Sequence, residues 1–69
     1  MKISARNVFR GSIVNIEIGA VNAQVTIRIA PDLDMVSIIT KDSVQRLGLV
    51  KGGTAHAVIK ASSVMVAVD

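Results

Sequence analysis

The chain has 69 residues, no cysteine and a single histidine, His56, and these counts exclude disulfide cross-links and the usual Cys/His zinc sites. A chain this short buries only about 60% of the surface that its unfolded form exposes. Because 51% of its residues are nevertheless hydrophobic, many aliphatic groups cannot be hidden inside one copy. The composition therefore predicts a single domain, residues 1–69, that is stabilised by forming a homo-oligomer.

The charge balance is basic, with eight Lys and Arg residues against five Asp and Glu residues and a net charge of +3. Such a surplus attracts small anions and polyanions alike. Proteins that bind single-stranded nucleic acid stack bases on aromatic side chains, and Phe9 is the only aromatic residue of this chain. The composition therefore favours a small inorganic anion, with a basic OB-like nucleic-acid-binding protein as the alternative.

The start of the chain and its hydropathy bear on the cellular compartment. Residues 1–6 are charged and lack the apolar core of a signal peptide. No apolar run approaches the roughly 18–20 residues of a membrane span. Absence of cysteine, and so of any disulfide, fits a reducing compartment. We therefore expect a cytoplasmic protein that has no membrane partner.

The first elements predicted in chain order are two strands joined by a hairpin. Val14, Ile16 and Ile18 alternate with polar residues, and residues 21–29 alternate apolar and polar side chains without interruption. Such alternation is typical of strands that bury one face. The Gly19–Ala20 step between the two runs predicts a tight turn.

A third strand and a short helix follow. Residues 35–39 are mostly β-branched and predict a strand. Thr40 then has the character of a helix N-cap, and Gly48 that of the residue that ends a helix. Val44 and Leu47 lie three positions apart, and we expect both on the inward face of this helix.

Two further alternating segments complete the predicted fold. Residues 54–60 place apolar side chains at every second position, and residues 64–68 do so again with three valines. The total is five strands with one short helix between the third and the fourth. This order predicts an all-β fold, an OB-like five-stranded Greek-key barrel.

The sequence gives no support for catalysis. His56 lies in the middle of a predicted strand, without a cysteine or carboxylate at triad or metal-ligand spacing. The acidic residues are scattered and form no pair for acid–base chemistry. Neither a G-x-x-x-x-G-K-S/T loop nor a G-x-G-x-x-G turn is present. We therefore expect no enzyme, no catalytic residue and no metal held directly by side chains.

Three short segments, residues 4–7, 40–43 and 60–63, combine hydroxyl groups with a charge or an exposed backbone amide where a strand ends. A tetrahedral dianion accepts hydrogen bonds and donates none. Arg6 and Lys60 would provide charged donors, and the helix start would add free N–H groups. Each segment alone also fits a helix cap, an ordinary turn or a solvated charge. The candidate hydroxyl donors are Ser4, Thr40, Ser43 and Ser62.

A site built only from donors would select among anions. Phosphate near neutral pH often carries a proton, and that proton would meet no acceptor in such a site. An unpaired buried polar group costs about 1–3 kcal/mol. Molybdate, tungstate and sulfate avoid this cost because they are fully deprotonated, and cavity size must distinguish these three from one another.

The order and spacing of the three segments resemble the Mop family of molybdate-binding proteins, the molbindins. The resemblance includes the opening Ile-Ser-Ala-Arg-Asn at residues 3–7 and the strand-to-helix join at residues 37–44. It continues through the Leu-Gly stop at residues 47–48 and the ending at residues 57–66. It therefore covers essentially the whole chain.

The resemblance implies an OB-like subunit, a hexamer built as a trimer of dimers, and molybdate or tungstate bound at subunit interfaces without an organic cofactor. It also implies a role in intracellular molybdenum storage, homeostasis or delivery. One subunit would contribute the first group of anion-binding residues and its neighbour the second. The first group is Ser4, the amide of Ala5, Arg6, Lys60, Ala61 and Ser62, and the second is Thr40 and Ser43.

Overall fold

The computed structural model describes residues 1–69. Four strands form one antiparallel sheet in the order β3-β2-β1-β4, so that β1 and β2 are central and β3 and β4 are its edges. The sheet curls into a half-barrel of the OB-like type, as expected for an all-β chain. The elements are β1 (Asn7–Ile18), β2 (Asn22–Ala30), β3 (Leu33–Thr40), α1 (Lys41–Leu47), β4 (Thr54–Ile59) and a 3-10 turn (Ala61–Ser63).

The core lies on the concave side of the sheet. The alternation in β2 buries Ala23, Val25 and Ile27, and Ile13 of β1 and Val44 of α1 pack against them. Burying an aliphatic side chain of this size contributes about 1.5–3 kcal/mol. Only 5 of the 69 residues are fully buried, so most aliphatic side chains of the single chain remain partly or largely exposed.

Strand β1 is longer than the alternation predicts, because it begins at Asn7 and pairs with β4 before it pairs with β2. Its register against β2 shifts between Ile13 and Asn15. Such a bulge adds one residue to a strand and changes which side chains face inward. Ile13 is therefore in the core, and Val14, which the alternation assigned to the buried face, lies at the bulge.

Helix α1 has the predicted caps. The Thr40 hydroxyl accepts a hydrogen bond from the Ser43 N–H at 3.0 Å, and Gly48 ends the helix with a φ of 64°, a conformation that glycine adopts easily. Val44 is buried as expected. Leu47 also faces inward, because it lines an apolar groove together with Val25 and Leu49, but it is 65% exposed in the single chain and is not part of the buried core.

The predicted fifth strand is wrong for the single chain. Residues 64–68 pair with no strand, and the side chains of Met65, Val66 and Val68 are at least 90% exposed. A strand requires a hydrogen-bonding edge as well as an alternating pattern. The alternation of residues 64–68 predicts a face that is to be buried, but within a single chain no strand edge lies beside this segment for it to pair with.

The two free edges of the sheet, β3 and β4, border an apolar groove on the open side of the half-barrel. Its volume is about 350 Å³. The main aliphatic residues that line the groove are Val25, Ile27, Ile39, Leu47, Leu49 and Val58.

No helix of the structure has the length and apolar character needed to cross a lipid bilayer.

Candidate functional site

The segment before β1 and the segment after β4 form a cleft at one end of the sheet, with a volume of about 490 Å³. Six of the eight predicted anion-binding residues line it, although they come from opposite ends of the chain. Ile3 lines the cleft as well, and its apolar side chain carries no signal in the sequence for an anion site. The six are Ser4, Ala5, Arg6, Lys60, Ala61 and Ser62.

The pairing of β1 with β4 explains why these segments meet. The last antiparallel pair is Asn7 with Ile59, so one further step of the same register sets Arg6 opposite Lys60. The chain then turns, and the N–H of Ser63 donates to the carbonyl oxygen of Lys60 at 2.9 Å. This turn brings the Ala61–Ser62 step, which follows Lys60, to the cleft.

The polar groups of the cleft are not engaged within the chain. None of its side-chain hydrogen bonds or ion pairs involves Ser4, Arg6, Lys60 or Ser62. The amide of Ala5 takes no part in the nine backbone hydrogen bonds that lie outside the helices and strands. No Asp or Glu lines the cleft. The cleft is therefore rich in donors and cations and has no carboxylate to compete for them.

Thr40 and Ser43 lie elsewhere in the same chain. Thr40 pairs with Asn22 at the start of β2, and this is the end of the sheet where β1 finishes. Arg6 precedes the start of β1, whose 12 residues span roughly 35 Å when extended. One four-oxygen anion therefore cannot touch both groups within a single copy.

The start of α1 is largely satisfied by its own hydrogen bonds. The Thr40 hydroxyl donates to Ser43 Oγ at 2.8 Å, and Nη2 of Arg46 donates to the same oxygen at 3.3 Å. The N–H of Lys41 donates to the carbonyl oxygen of Val21 at 2.8 Å. The helix start thus offers fewer free N–H groups than expected, but Ser43 Oγ accepts two hydrogen bonds and its own hydrogen remains able to donate outward.

The perturbed titratable groups lie away from the cleft. Arg28 forms two hydrogen bonds with the carboxylate of Asp34, at 2.8 and 3.0 Å. These bonds are the main cause that lowers the pKa of Asp34, and the positive charge of Arg28 adds to the effect. This pair links β2 to β3. No group of three or more His, Cys, Asp or Glu side chains is arranged to hold a metal ion.

Comparison with known proteins adds a family match. Residues 3–66 match the TOBE domain, a range that includes every candidate residue named above. A probable molybdenum-pterin-binding protein of Haemophilus influenzae is 48% identical over 69 residues, and the match spans the whole of both chains.

Two solved structures have the same fold. An apo form of MopII from Clostridium pasteurianum superposes with a TM-score of 0.91 and 40% identity, covering 97% of this chain and 100% of that one. The cytoplasmic molybdate-binding protein ModG, solved with molybdate bound, gives a TM-score of 0.83 and 46% identity. That match covers 88% of this chain and 43% of the ModG chain.

Proposed function

Because the chain belongs to the TOBE domain family and to its molybdenum-pterin-binding (Mop) members, we propose that it binds molybdate or tungstate at subunit interfaces. Its role would be intracellular storage, homeostasis or delivery of molybdenum in the cytoplasm, without catalysis and without an organic cofactor. The observation that carries the proposal is the meeting of Arg6 and Lys60 in one cleft that has no acidic residue.

The donors of the cleft suit a fully deprotonated oxyanion. Arg6 and Lys60 supply charge, and hydrogen bonds to charged groups are worth more than those between neutral groups. The Ser4 and Ser62 hydroxyls rotate freely and can each turn a hydrogen toward an anion oxygen. A protonated phosphate would bring one hydrogen for which the cleft has no carboxylate acceptor. Its cost of about 1–3 kcal/mol corresponds to a preference of roughly five- to 150-fold for molybdate over monohydrogen phosphate.

The cleft needs a second copy to become a closed site. Its volume of about 490 Å³ exceeds what one four-oxygen anion fills, and it is open to solvent, where water competes with the anion for donors. We propose that Thr40 and Ser43 of a neighbouring copy cover it. The outward hydrogen of Ser43 would then point to the anion, while Thr40 and Arg46 hold its oxygen in place.

The surface of the chain supports assembly. The tail at residues 64–68 is apolar and exposed, and the groove between β3 and β4 has room on the open side of the half-barrel. A tail from one copy placed along a free edge of another would satisfy the edge hydrogen bonds and bury the valines. The proposed assembly is a homo-oligomer, and the hexamer built as a trimer of dimers is the form we expect.

Equilibrium dialysis with molybdate, tungstate, sulfate and phosphate in competition tests the ligand class. We expect molybdate or tungstate to be retained and phosphate to be excluded at equal concentration and neutral pH. Retention of phosphate as strong as that of molybdate would contradict a site built only from donors.

Mixed oligomers test the shared site. Arg6→Ala and Ser43→Ala chains should each bind weakly alone, since one loses the cleft and the other the covering residue. After refolding an equal mixture, about one interface in four should combine an intact cleft with an intact Ser43. Calorimetric titration should then show strong sites that neither variant has.

A matched mixture provides the control for that experiment. Arg6→Ala and Lys60→Ala both damage the cleft, so their mixed oligomers should regain no strong site. Equal recovery in both mixtures, or recovery in neither, would contradict a site shared between two copies. Size-exclusion chromatography with light scattering, run on each mixture, verifies that the oligomer is retained.

The nucleic-acid alternative is not favoured by the relatives, which are named for molybdenum and molybdate. Phe9 is 37% exposed and would be the only aromatic surface for stacking. A gel-shift assay with single-stranded DNA and RNA at physiological salt should therefore show no complex. A tight complex that molybdate does not displace would support that alternative instead.

A further inference from the structure

A row of basic side chains continues from the cleft along β1 and β4, and its β4 member, His56, lies where the sheet borders the apolar groove, which it also lines. Arg10 pairs directly with His56 across these strands, and Val8 pairs with Val58. Residues two apart on a strand share a face, so Arg10 and His56 lie on the same face as Arg6 and Lys60. We call these four residues the basic row: Arg6, Arg10, His56 and Lys60.

The basic row has no acidic partner in the chain. Like charges placed opposite each other on neighbouring strands are destabilising, and the two ion pairs of the structure join other residues. Arg28 pairs with Ser12 of β1, further along the same face, but Asp34 neutralises its charge. All four members of the row are exposed. The positive potential of Arg6, Arg10 and Lys60 therefore remains available to an anion from solution, and His56 adds an N–H donor beside Arg10.

We infer that Arg10 and His56 form a second, weaker binding position for the same class of tetrahedral oxyanion, from which anions exchange with the cleft. This inference rests on the proposed function, because it assigns the row to the uptake of the same ligand. The Arg10 guanidinium offers several N–H donors, and the His56 imidazole carries an N–H donor in either protonation state.

The position is weaker than the cleft for a physical reason. It has two side chains, both exposed to water, where the cleft has two cations, two hydroxyls and a free amide. Arg10 lies four residues from Arg6, about 13 Å along an extended strand. At that distance in water, one positive charge changes the affinity of a doubly charged anion about threefold. Salt should remove this coupling, since the Debye length at 0.15 M is about 8 Å.

Nuclear magnetic resonance titration with molybdate at low ionic strength tests the inference. Three proteins are compared: the unaltered chain, Arg10→Gln, and the double variant Arg6→Gln/Lys60→Gln. In the unaltered chain we expect two sets of shifted resonances, one around the cleft and a weaker one around Arg10 and His56. In the double variant only the weaker set should remain, and in Arg10→Gln that set should vanish.

Affinity at the cleft provides a second readout. Arg10→Gln should weaken molybdate binding there about threefold at low salt, and 0.5 M sodium chloride should abolish the difference. Lys51→Gln is the matched control, because it removes an exposed cation that lies in the turn before β4 rather than in the row. It should leave the resonances of Arg10 and His56 unchanged during the titration.

The outcomes separate this inference from the proposed function. Shifts confined to the cleft would overturn the inference and leave the proposed function intact. Shifts at Arg10 and His56 without any at the cleft would overturn the proposed function and support an anion position on the row. Equal shifts with sodium chloride at the same ionic strength would show that the resonances respond to ionic strength and not to bound oxyanion, and would overturn the inference.

Discussion

The two ends of the sheet use the same kinds of side chain in different ways. At the cleft, the charges of Arg6 and Lys60 meet no partner within the chain. At the start of α1, the hydroxyls of Thr40 and Ser43 bond to each other, and Arg46 joins them. Two cations held close together repel each other unless an anion lies between them, whereas the bonded hydroxyls stabilise the helix start. This contrast supports the proposed anion site in the cleft. The helix start is a cap within its own chain, and we propose that it also covers the cleft of a neighbouring copy.

The largest expected effect is a loss of molybdate affinity when the cleft alone is altered. Arg6→Ala or Lys60→Ala should weaken molybdate binding by about 2 kcal/mol or more, because each removes a charged hydrogen-bond donor. The melting temperature without ligand should stay the same, since neither side chain bonds within the chain. Calorimetric titration and thermal unfolding measure the two quantities. Unchanged affinity in both variants would remove the assignment of the site.

At the start of α1, by contrast, a substitution should change the stability of the fold without ligand. Thr40→Ala removes the N-cap and should lower the free energy of unfolding by about 1 kcal/mol, measured by denaturant titration without ligand. Thr40→Ser is the control, because its hydroxyl can still accept the Ser43 N–H. If Thr40→Ala left stability unchanged, the hydroxyl would have no capping role and the contrast between the two ends would disappear.

A smaller loss of affinity is expected when one hydroxyl of the cleft is removed. Ser62→Ala should weaken molybdate binding by about 1 kcal/mol, the usual worth of one hydrogen bond, and leave unfolding unchanged. Ser12→Ala, on the outer face of β1, should change neither quantity. A loss of stability in Ser62→Ala without a loss of affinity would identify Ser62 as a turn residue only.

The smallest effect concerns Arg28 and Asp34, which lie in neither region. Arg28 lowers the pKa of Asp34 below its ordinary value of 3.8, so the pair stabilises the fold above about that pH. The stabilisation is lost as the pH falls through the lowered pKa. The effect should be slight, because both groups are exposed. Unfolding curves between pH 5 and pH 2 should show a small loss of stability that Asp34→Asn lacks.

Much of the fold could be predicted from local patterns. Alternation in β2 identified its buried face, because side chains on a strand point to opposite sides at every step. The caps of α1 were predicted from Thr40 and Gly48, because capping depends on a few neighbouring residues. The bulge near Val14 escaped prediction, since an added residue appears in the sequence only as adjacent aliphatic side chains.

The candidate site also depends partly on local sequence and partly on the tertiary structure. The sequence by itself determined which groups can serve an oxyanion: Arg6, Lys60 and the hydroxyls, with no acid among them. Only the tertiary structure decided that Arg6 and Lys60 share a cleft, because the antiparallel register of β1 and β4 brings together the two ends of the chain. It also left residues 64–68 without a partner strand, because pairing requires an edge that no local pattern can supply.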